Sequence, residues 1–465
     1  MHLSRYAASA FAAAALLSTP AYAQDADAIA SLRRDMETLR QDYEARVNDL
    51  EARLAQAEAD ASAARQSAEQ AQQNATQQAV VDTDSTDQTA PDTVDQYAGV
   101  ASEPAGGAAA NANAFNPGIS VVLNGFLTAS DRDTGGERIA GVATGGEIEN
   151  PPPGLSLGEA EIALSANIDP YFYGFMVAAI DSAGEIGIEE AYISTTQLPA
   201  GLTLTAGRFF SGIGYSNETH AHNWAFSDAA LPYRAFLGSQ LGDDGVQLTW
   251  LAPTDWYLLL GVEAFRGDSY PAEGAENDGV GSYAAFVRTG SDLDASNSYL
   301  ASISYLHSGA LDRDTDGDLF TGDSELLIGS LTYKWAPGGN RLNRNLTATG
   351  EVFLGNESGT FNGIAVDQDR FGWYVQGVYQ WMPRWRAGLR YAALESDDPG
   401  PLLAGSALDE MGVNPYTATA LLEWDPSEFS RLRLQYSRDE SDFDPNDILT
   451  MQYTVIYGVH GAHRY

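Results

Sequence analysis

The stretch L-T-M-Q-Y-T-V-I-Y, Leu449 to Tyr457, decides the fold. Leu449, Met451, Tyr453, Val455 and Tyr457 alternate with Thr450, Gln452, Thr454 and Ile456. A period of two belongs to a strand, because successive side chains leave opposite faces. One face here is apolar and the other carries mostly hydroxyl and amide groups. The same alternation recurs upstream. Leu346, Ala348, Gly350, Val352 and Leu354 alternate with Thr347, Thr349, Glu351 and Phe353, and Leu432, Leu434 and Tyr436 alternate with Arg431, Arg433 and Gln435. From about Ile119 to the end the chain reads as 16 such segments. Most are about ten to thirteen residues long, which suits a tilted strand crossing a bilayer better than the five or six of a soluble strand.

The connections alternate in length. Short ones are I-D-P-Y (168–171), L-P-A-G (198–201), A-P-T-D (252–255), M-P-R (382–384) and D-P-S-E (425–428). Long polar ones are expected at 130–153, 210–243, 266–279, 308–323, 355–368, 394–413 and 438–446. Short turns at one end and long loops at the other mark a transmembrane barrel. Trp250, Trp256, Trp335, Trp381, Trp385 and Trp424 all fall beside short turns, where indoles form an interface girdle. The chain stops on an aromatic, Tyr465, after an amphipathic last strand.

The first residues read as an export signal. Met1 to Ala23 holds a basic start, an apolar run from Ala7 to Leu17 and the small-residue site Ala21-Tyr22-Ala23. Residues 24–74 carry an a/d seam through Ile29, Leu32, Met36, Leu39, Tyr43, Val47, Leu50 and Leu54, with one stutter after Tyr43. So narrow a seam is read as a coiled coil, and therefore as an oligomer. Residues 75–115 are rich in Ala, Thr, Asp, Gln and Gly and read as a flexible linker, with the barrel filling 116–465. A net charge of −39 argues against nucleic acid as a partner. The absence of cysteine excludes disulfides, thiolate metal sites and thiol catalysis.

On these features residues 119–465 resemble the trimeric bacterial outer-membrane porins. In that family the third outer loop folds into the lumen and narrows it, and here that loop is 211–243, holding E-T-H-A-H-N-W (218–224). A weaker resemblance is to phosphate-selective-porin-like barrels. A-G-R-F-F-S-G-I-G-Y-S-N-E (206–218) is similar to their motif at the mouth of that loop, but Ile213 stands where they usually have Phe. The basic ladder suited to anions is incomplete, so phosphate selectivity does not carry over. The resemblance implies an all-β, 16-stranded antiparallel barrel in the outer membrane of a Gram-negative bacterium, with the coiled-coil stalk in the periplasm. Its partners would be further copies in a homotrimer, lipid and lipopolysaccharide, small polar solutes and, through the stalk, peptidoglycan.

Placing the apolar set outward turns Glu159, Glu161, Glu263, Glu351, Arg384, Arg386, Arg390, Glu423, Arg431 and Arg433 toward the lumen. Opposed charges there would set up a transverse field that orients polar solutes; the alternative is that they pair and fill the wall. Glu218, His220, His222, Asp228 and Arg234 are the expected constriction-loop residues. His220 and His222, with oxygens from Glu218 and Asp228, also make half of a transition-metal set. D-R-D-T-D-G-D-L-F-T-G-D resembles a calcium loop, with Asp312, Asp314, Asp316, Asp318 and Asp323 as candidate ligands, although position twelve is Asp rather than Glu. No nucleophile and base stand together, and no cofactor is required. The expectation is passive diffusion of small polar solutes. The alternatives are a stalked barrel tethering the outer membrane to the cell wall or a periplasmic partner, and a channel specific for a metal or sugar.

Overall fold

The computed structural model describes residues 117–132, 138–144, 151–180, 184–273 and 279–458. The export signal, the stalk, the linker and Tyr465 lie outside the described residues. The strands are β1 (Gly118–Ser130), β2 (Gly154–Asn167), β3 (Phe172–Ile180), β4 (Ile186–Thr195), β5 (Leu202–Phe210), β6 (Gly242–Leu251), β7 (Tyr257–Phe265) and β8 (Ser282–Asp294). They continue as β9 (Asn297–Thr315), β10 (Asp318–Trp335), β11 (Asn345–Phe361), β12 (Ile364–Met382), β13 (Trp385–Ser396), β14 (Tyr416–Ser427), β15 (Ser430–Glu440) and β16 (Asn446–Gly458). Each pairs antiparallel with its sequence neighbours, and β1 pairs with β16 from Ser120↔Gly458 to Ser130↔Ile448, closing the barrel. Closure leaves no strand edge, which is the condition for a sheet to sit in lipid.

The polarity is inverted relative to a soluble protein. On β16, Ile448, Thr450, Gln452, Thr454 and Ile456 are buried, while Leu449, Met451, Tyr453 and Tyr457 are exposed. On β14, Thr417, Thr419 and Glu423 are buried, while Leu422 and Trp424 are exposed. Every strand offers at least one large exposed apolar side chain, down to Phe172 on β3, Leu204 on β5 and Val262 on β7. An apolar surface that encircles the molecule would be an aggregation hazard in water and is a lipid face here. At the short-turn end Trp381, Trp385 and Trp424 run side by side, with ring centroids 6.3 and 6.0 Å apart.

Two of the expected long loops are strands. β9 and β10 continue to a two-residue turn at Asp316-Gly317, and β11 and β12 to one at Asn362-Gly363. Both turns have positive φ at both residues, 55° and 92° in the first and 50° and 75° in the second. Asp-Gly and Asn-Gly in that conformation are the turns that match strand twist. These strands run 17 to 19 residues. At about 3.3 Å per residue that is roughly 55–60 Å, well beyond a hydrocarbon core of about 30 Å. The hairpins therefore stand clear of the membrane. Their inner faces close over Ala143, Leu403, Ala407 and Leu408 from neighbouring loops, with Ala310, Phe320, Phe361 and Val366 contributed by the hairpins.

A buried ion triad pins this cap. Glu357 accepts from Arg313 and forms an ion pair with Arg370, each at 2.7 Å. Arg313 also donates to the carbonyls of Pro271 and Ala143 and lies over the Tyr270 and Phe320 rings. Removing the shared partner strands two buried cations. Glu357→Leu is expected to cost about 3–5 kcal/mol, and the apolar triple Arg313→Met/Glu357→Leu/Arg370→Met less than that. Denaturant unfolding of the detergent-folded protein measures both; a silent Glu357→Leu would contradict the account.

Candidate functional site in loop three and the inner wall

The third loop, 211–241, runs from the end of β5 to the start of β6. Its two ends are clasped by Asn217. The Asn217 amide donates to the carbonyls of Ser211 and Leu241, and its oxygen accepts from the Leu241 N–H, all at 2.8 Å. Within the loop, α1 (Leu231–Leu237) opens with Pro232 in its first turn and stops at Gly238, whose φ of 58° makes the left-handed cap. All of its residues are buried, and it packs against β12 and β13. Phe236 stacks on Phe353 with centroids 5.8 Å apart. Gly355 and Gly372 make that seat: a Cβ on either would come within 2.5 or 2.8 Å of the Phe236 ring. Arg234 pairs with Asp439 of β15 at 2.9 Å. The Tyr233 hydroxyl accepts the Tyr215 and Ser216 N–H groups at 3.0 Å.

On one wall the arginines hold the loop. Arg386 and Arg433 pair with Glu423 at 3.0 and 2.6 Å, and Arg431 lies 3.8 Å from the same carboxylate. Arg433 also donates to the Trp224 carbonyl at 3.0 Å, and Arg431 donates to the His222 carbonyl. Arg390 pairs with Asp228 at 2.6 Å and also donates to its carbonyl, while Gln435 donates to the same carboxylate at 2.5 Å.

The other wall, β2 and β4, is acidic. His222 Nδ1 lies 2.6 Å from Glu161 Oε1. His220 Nε2 lies 2.8 Å from Glu190 Oε2, while its Nδ1 faces Glu189 Oε2 at 3.3 Å and Glu161 Oε2 at 3.5 Å. The two imidazoles are stacked at 5.7 Å. Burial would lower the His220 pKa, but the surrounding carboxylates of Glu189, Glu190 and Glu161 override it and hold that pKa well above the ordinary imidazole value. Two β-bulges build this cluster. The β1–β2 register slips between Leu123 and Gly125, so Leu157 points out while Glu161 points in. The β3–β4 register slips at Val177, which pairs with Glu190 while Ala178 pairs with Ile188, so both Glu189 and Glu190 join the inner cluster.

Of the residues assigned to the lumen, Glu161, Glu263, Glu351, Arg390, Glu423 and Arg433 are buried on the inner face, with Glu159, Arg386 and Arg431 half-buried beside them. Arg384 lies elsewhere. Together with Pro383 it forms the turn between β12 and β13, exposed and at φ 71°, so its side chain is at the short-turn end rather than in the lumen. The inward carboxylates are occupied. Glu263 accepts from the Ser211 hydroxyl and the Gly212 N–H, and Glu351 accepts from the Tyr215 N–H and the Tyr374 hydroxyl. Glu218 pairs with Arg288 at 2.6 Å and Asp228 with Arg390, so neither joins the histidines as the sequence suggested. Glu161, which came from another element, does.

The calcium-loop candidates sit on the β9–β10 hairpin. Asp314 accepts from the Gly317 N–H, Asp312 from the Thr321 hydroxyl and Asp318 from Asn362, while Asp316 lies 3.8 Å from Arg138 and Asp323 3.7 Å from His307. They face different neighbours because strand pairing spreads them along the hairpin. The groups of three or more ligand-type residues that converge within 4.8 Å among the described residues do not include them.

No protein-family model matches the chain. An uncharacterized protein of Aquifex aeolicus is 28% identical over 384 residues, covering 75% of this chain and 80% of that protein. The outer membrane channel DcaP of Acinetobacter baumannii is similar in structure, with a TM-score of 0.48 and 14% identity over 74% of this chain and 97% of the other. The anion-selective porin from Comamonas acidovorans has a TM-score of 0.48 and 8% identity over 74% of this chain and 99% of the other. The assignment of this chain as a transmembrane barrel stands on its own strand pairing and inverted polarity.

Asn217→Ala is expected to open loop three without opening the barrel. Its loss leaves buried backbone groups unpaired, at about 2–3 kcal/mol, which raises proteolysis within 211–241 roughly 30- to 150-fold. Timed proteolysis read by mass spectrometry checks this; cleavage at the wild-type rate would contradict the clasp.

Proposed function

We propose that this protein is an outer-membrane porin through which small polar solutes diffuse passively, with loop three narrowing the lumen. One observation carries the reading. Loop three bonds to inward side chains of β2 (Glu161), β4 (Glu190), β7 (Glu263), β8 (Arg288), β11 (Glu351), β13 (Arg390) and β15 (Arg431, Arg433). A single segment that meets strands spread around the wall has to cross the bore. On β16 the inward side chains Thr450, Gln452 and Thr454 are hydroxyls and amides, buried among neighbouring wall groups. The seam in residues 24–74 supports an oligomer, which the stalk would help to hold together.

Reconstituted liposomes test both parts. The full chain is expected to admit small sugars or amino acids, and a chain with residues 221–228 replaced by a short glycine linker is expected to admit them several-fold faster and to pass larger ones. No uptake by the folded full chain would remove the porin reading. Equal uptake by both chains would remove the narrowing.

A further inference from the structure

We infer that β2, β4 and loop three together build a site for a divalent transition-metal ion of the zinc, nickel or copper kind, with Glu161, Glu189, His220 and His222 as its ligands. The donor set is two imidazoles and two carboxylates, the chemistry such ions take where cysteine is absent. Glu161, His220 and His222 each offer a donor atom within 4.8 Å of the others, and Glu161 shares a second such group with Glu159 and Glu189.

Three observations carry the proposal. The first is spacing. Bonds of about 2.0–2.2 Å to a tetrahedral ion put neighbouring donors about 3.3–3.5 Å apart. His220 Nδ1 is 3.3 Å from Glu189 Oε2 and 3.5 Å from Glu161 Oε2. The 2.6 Å contact of His222 Nδ1 with Glu161 Oε1 is the one that would open, by ~0.7 Å, as the ion replaces the shared proton.

The second is orientation. His220 Nε2 is held by Glu190 at 2.8 Å, which leaves Nδ1 to turn toward the other ligands. A carboxylate fixing the far nitrogen of a ligating imidazole is how proteins set ring tautomer and angle at metal sites. His220 Nδ1 and Glu189 Oε2 are both buried and face each other, yet neither makes a hydrogen bond among the described residues.

The third is charge. Other inner carboxylates either meet arginines, as Glu423 does Arg386 and Arg433, Glu357 does Arg313 and Arg370, and Asp439 does Arg234, or are surrounded by neutral donors, as Glu263 and Glu351 are. Here Glu161, Glu189 and Glu190 have histidines as their ion-pair partners among the described residues, and no arginine. Glu161, Glu189 and Glu190 thus face two imidazoles, with the Glu159 carboxyl group beside them. Since the ligands come from two strands and the loop, the ion would staple loop three to the wall.

The test uses the folded full-length protein without an affinity tag, titrated with Zn2+ in millimolar Mg2+. Expected is one tight equivalent of Zn2+ per chain that Mg2+ does not displace, lost in His220→Gln/His222→Gln and retained in Asp312→Asn/Asp314→Asn. If the double histidine variant fails to fold, Glu190→Gln carries the test, with affinity expected to fall about 10- to 100-fold through loss of the orienting carboxylate. Zn2+ that Mg2+ displaces, or binding unchanged in the histidine variant or in Glu190→Gln, overturns the site. Conductance is not read, so this result stands apart from that of the channel reading.

Discussion

Everything in this molecule depends on the pairing of its first strand with its last. A strand in lipid has no water to satisfy its amides, so an open sheet edge inside a bilayer costs several kcal/mol for each unpaired group. The β1–β16 ladder removes both edges at once. Once the sheet is a closed surface, one side chain in two must face lipid and the other must face the inside. That single requirement turns Leu449, Met451 and Tyr453 outward and Thr450, Gln452 and Thr454 inward.

The inside then has to be filled or left wet. Loop three packs on inward side chains of the wall, through an apolar cluster around Leu231, Tyr233, Phe236 and Phe353 and through a set of buried charges. Its buried charges are nearly all matched: Glu218 with Arg288, Asp228 with Arg390, Arg234 with Asp439. Such pairs add little net stability compared with well-packed apolar groups, but breaking one is costly. They act as position markers that hold the loop in one arrangement on the wall. The glycines at 355 and 372 do the same by shape, since they leave the slot that Phe236 occupies.

The fold was legible because lipid imposes a strict period of two, and the sequence obeys it from Ile119 onward. The inward set followed from the same parity, which is why Arg390, Arg433 and Glu423 could be placed without coordinates. Parity fails where the ladder slips. The dipeptide Glu189-Glu190 reads as one residue in and one out, yet a bulge brings both into the inner cluster, and nothing local in the sequence marks it. Arg384 was read both as part of the short connection 382–384 and as an inward residue, and only the first describes it, since the tight turn takes Pro383 and Arg384. The loop expected at 308–323 was misread although its signal was present. Asp316-Gly317 between alternating segments is a hairpin turn, in which Asp314 accepts from the Gly317 N–H. Partners for the loop histidines were not legible at all, because Glu161 lies about sixty residues away on another strand.

The barrel's closure can be read directly, because the chain has no cysteine of its own. Val122 and Ile456 are register partners across the β1–β16 seam, and both are buried on the inner face. Facing residues in an antiparallel ladder have Cα atoms about 4.5–5.5 Å apart, within disulfide reach. The variant Val122→Cys/Ile456→Cys is predicted to form an intramolecular disulfide in the folded, outer-membrane-extracted protein. The shifted pair Val122→Cys/Val455→Cys is predicted to stay reduced, since Val455 points to the opposite face. A reduced first pair, or a shifted pair that bridges as readily, would contradict the closed barrel on which the rest of the structure depends.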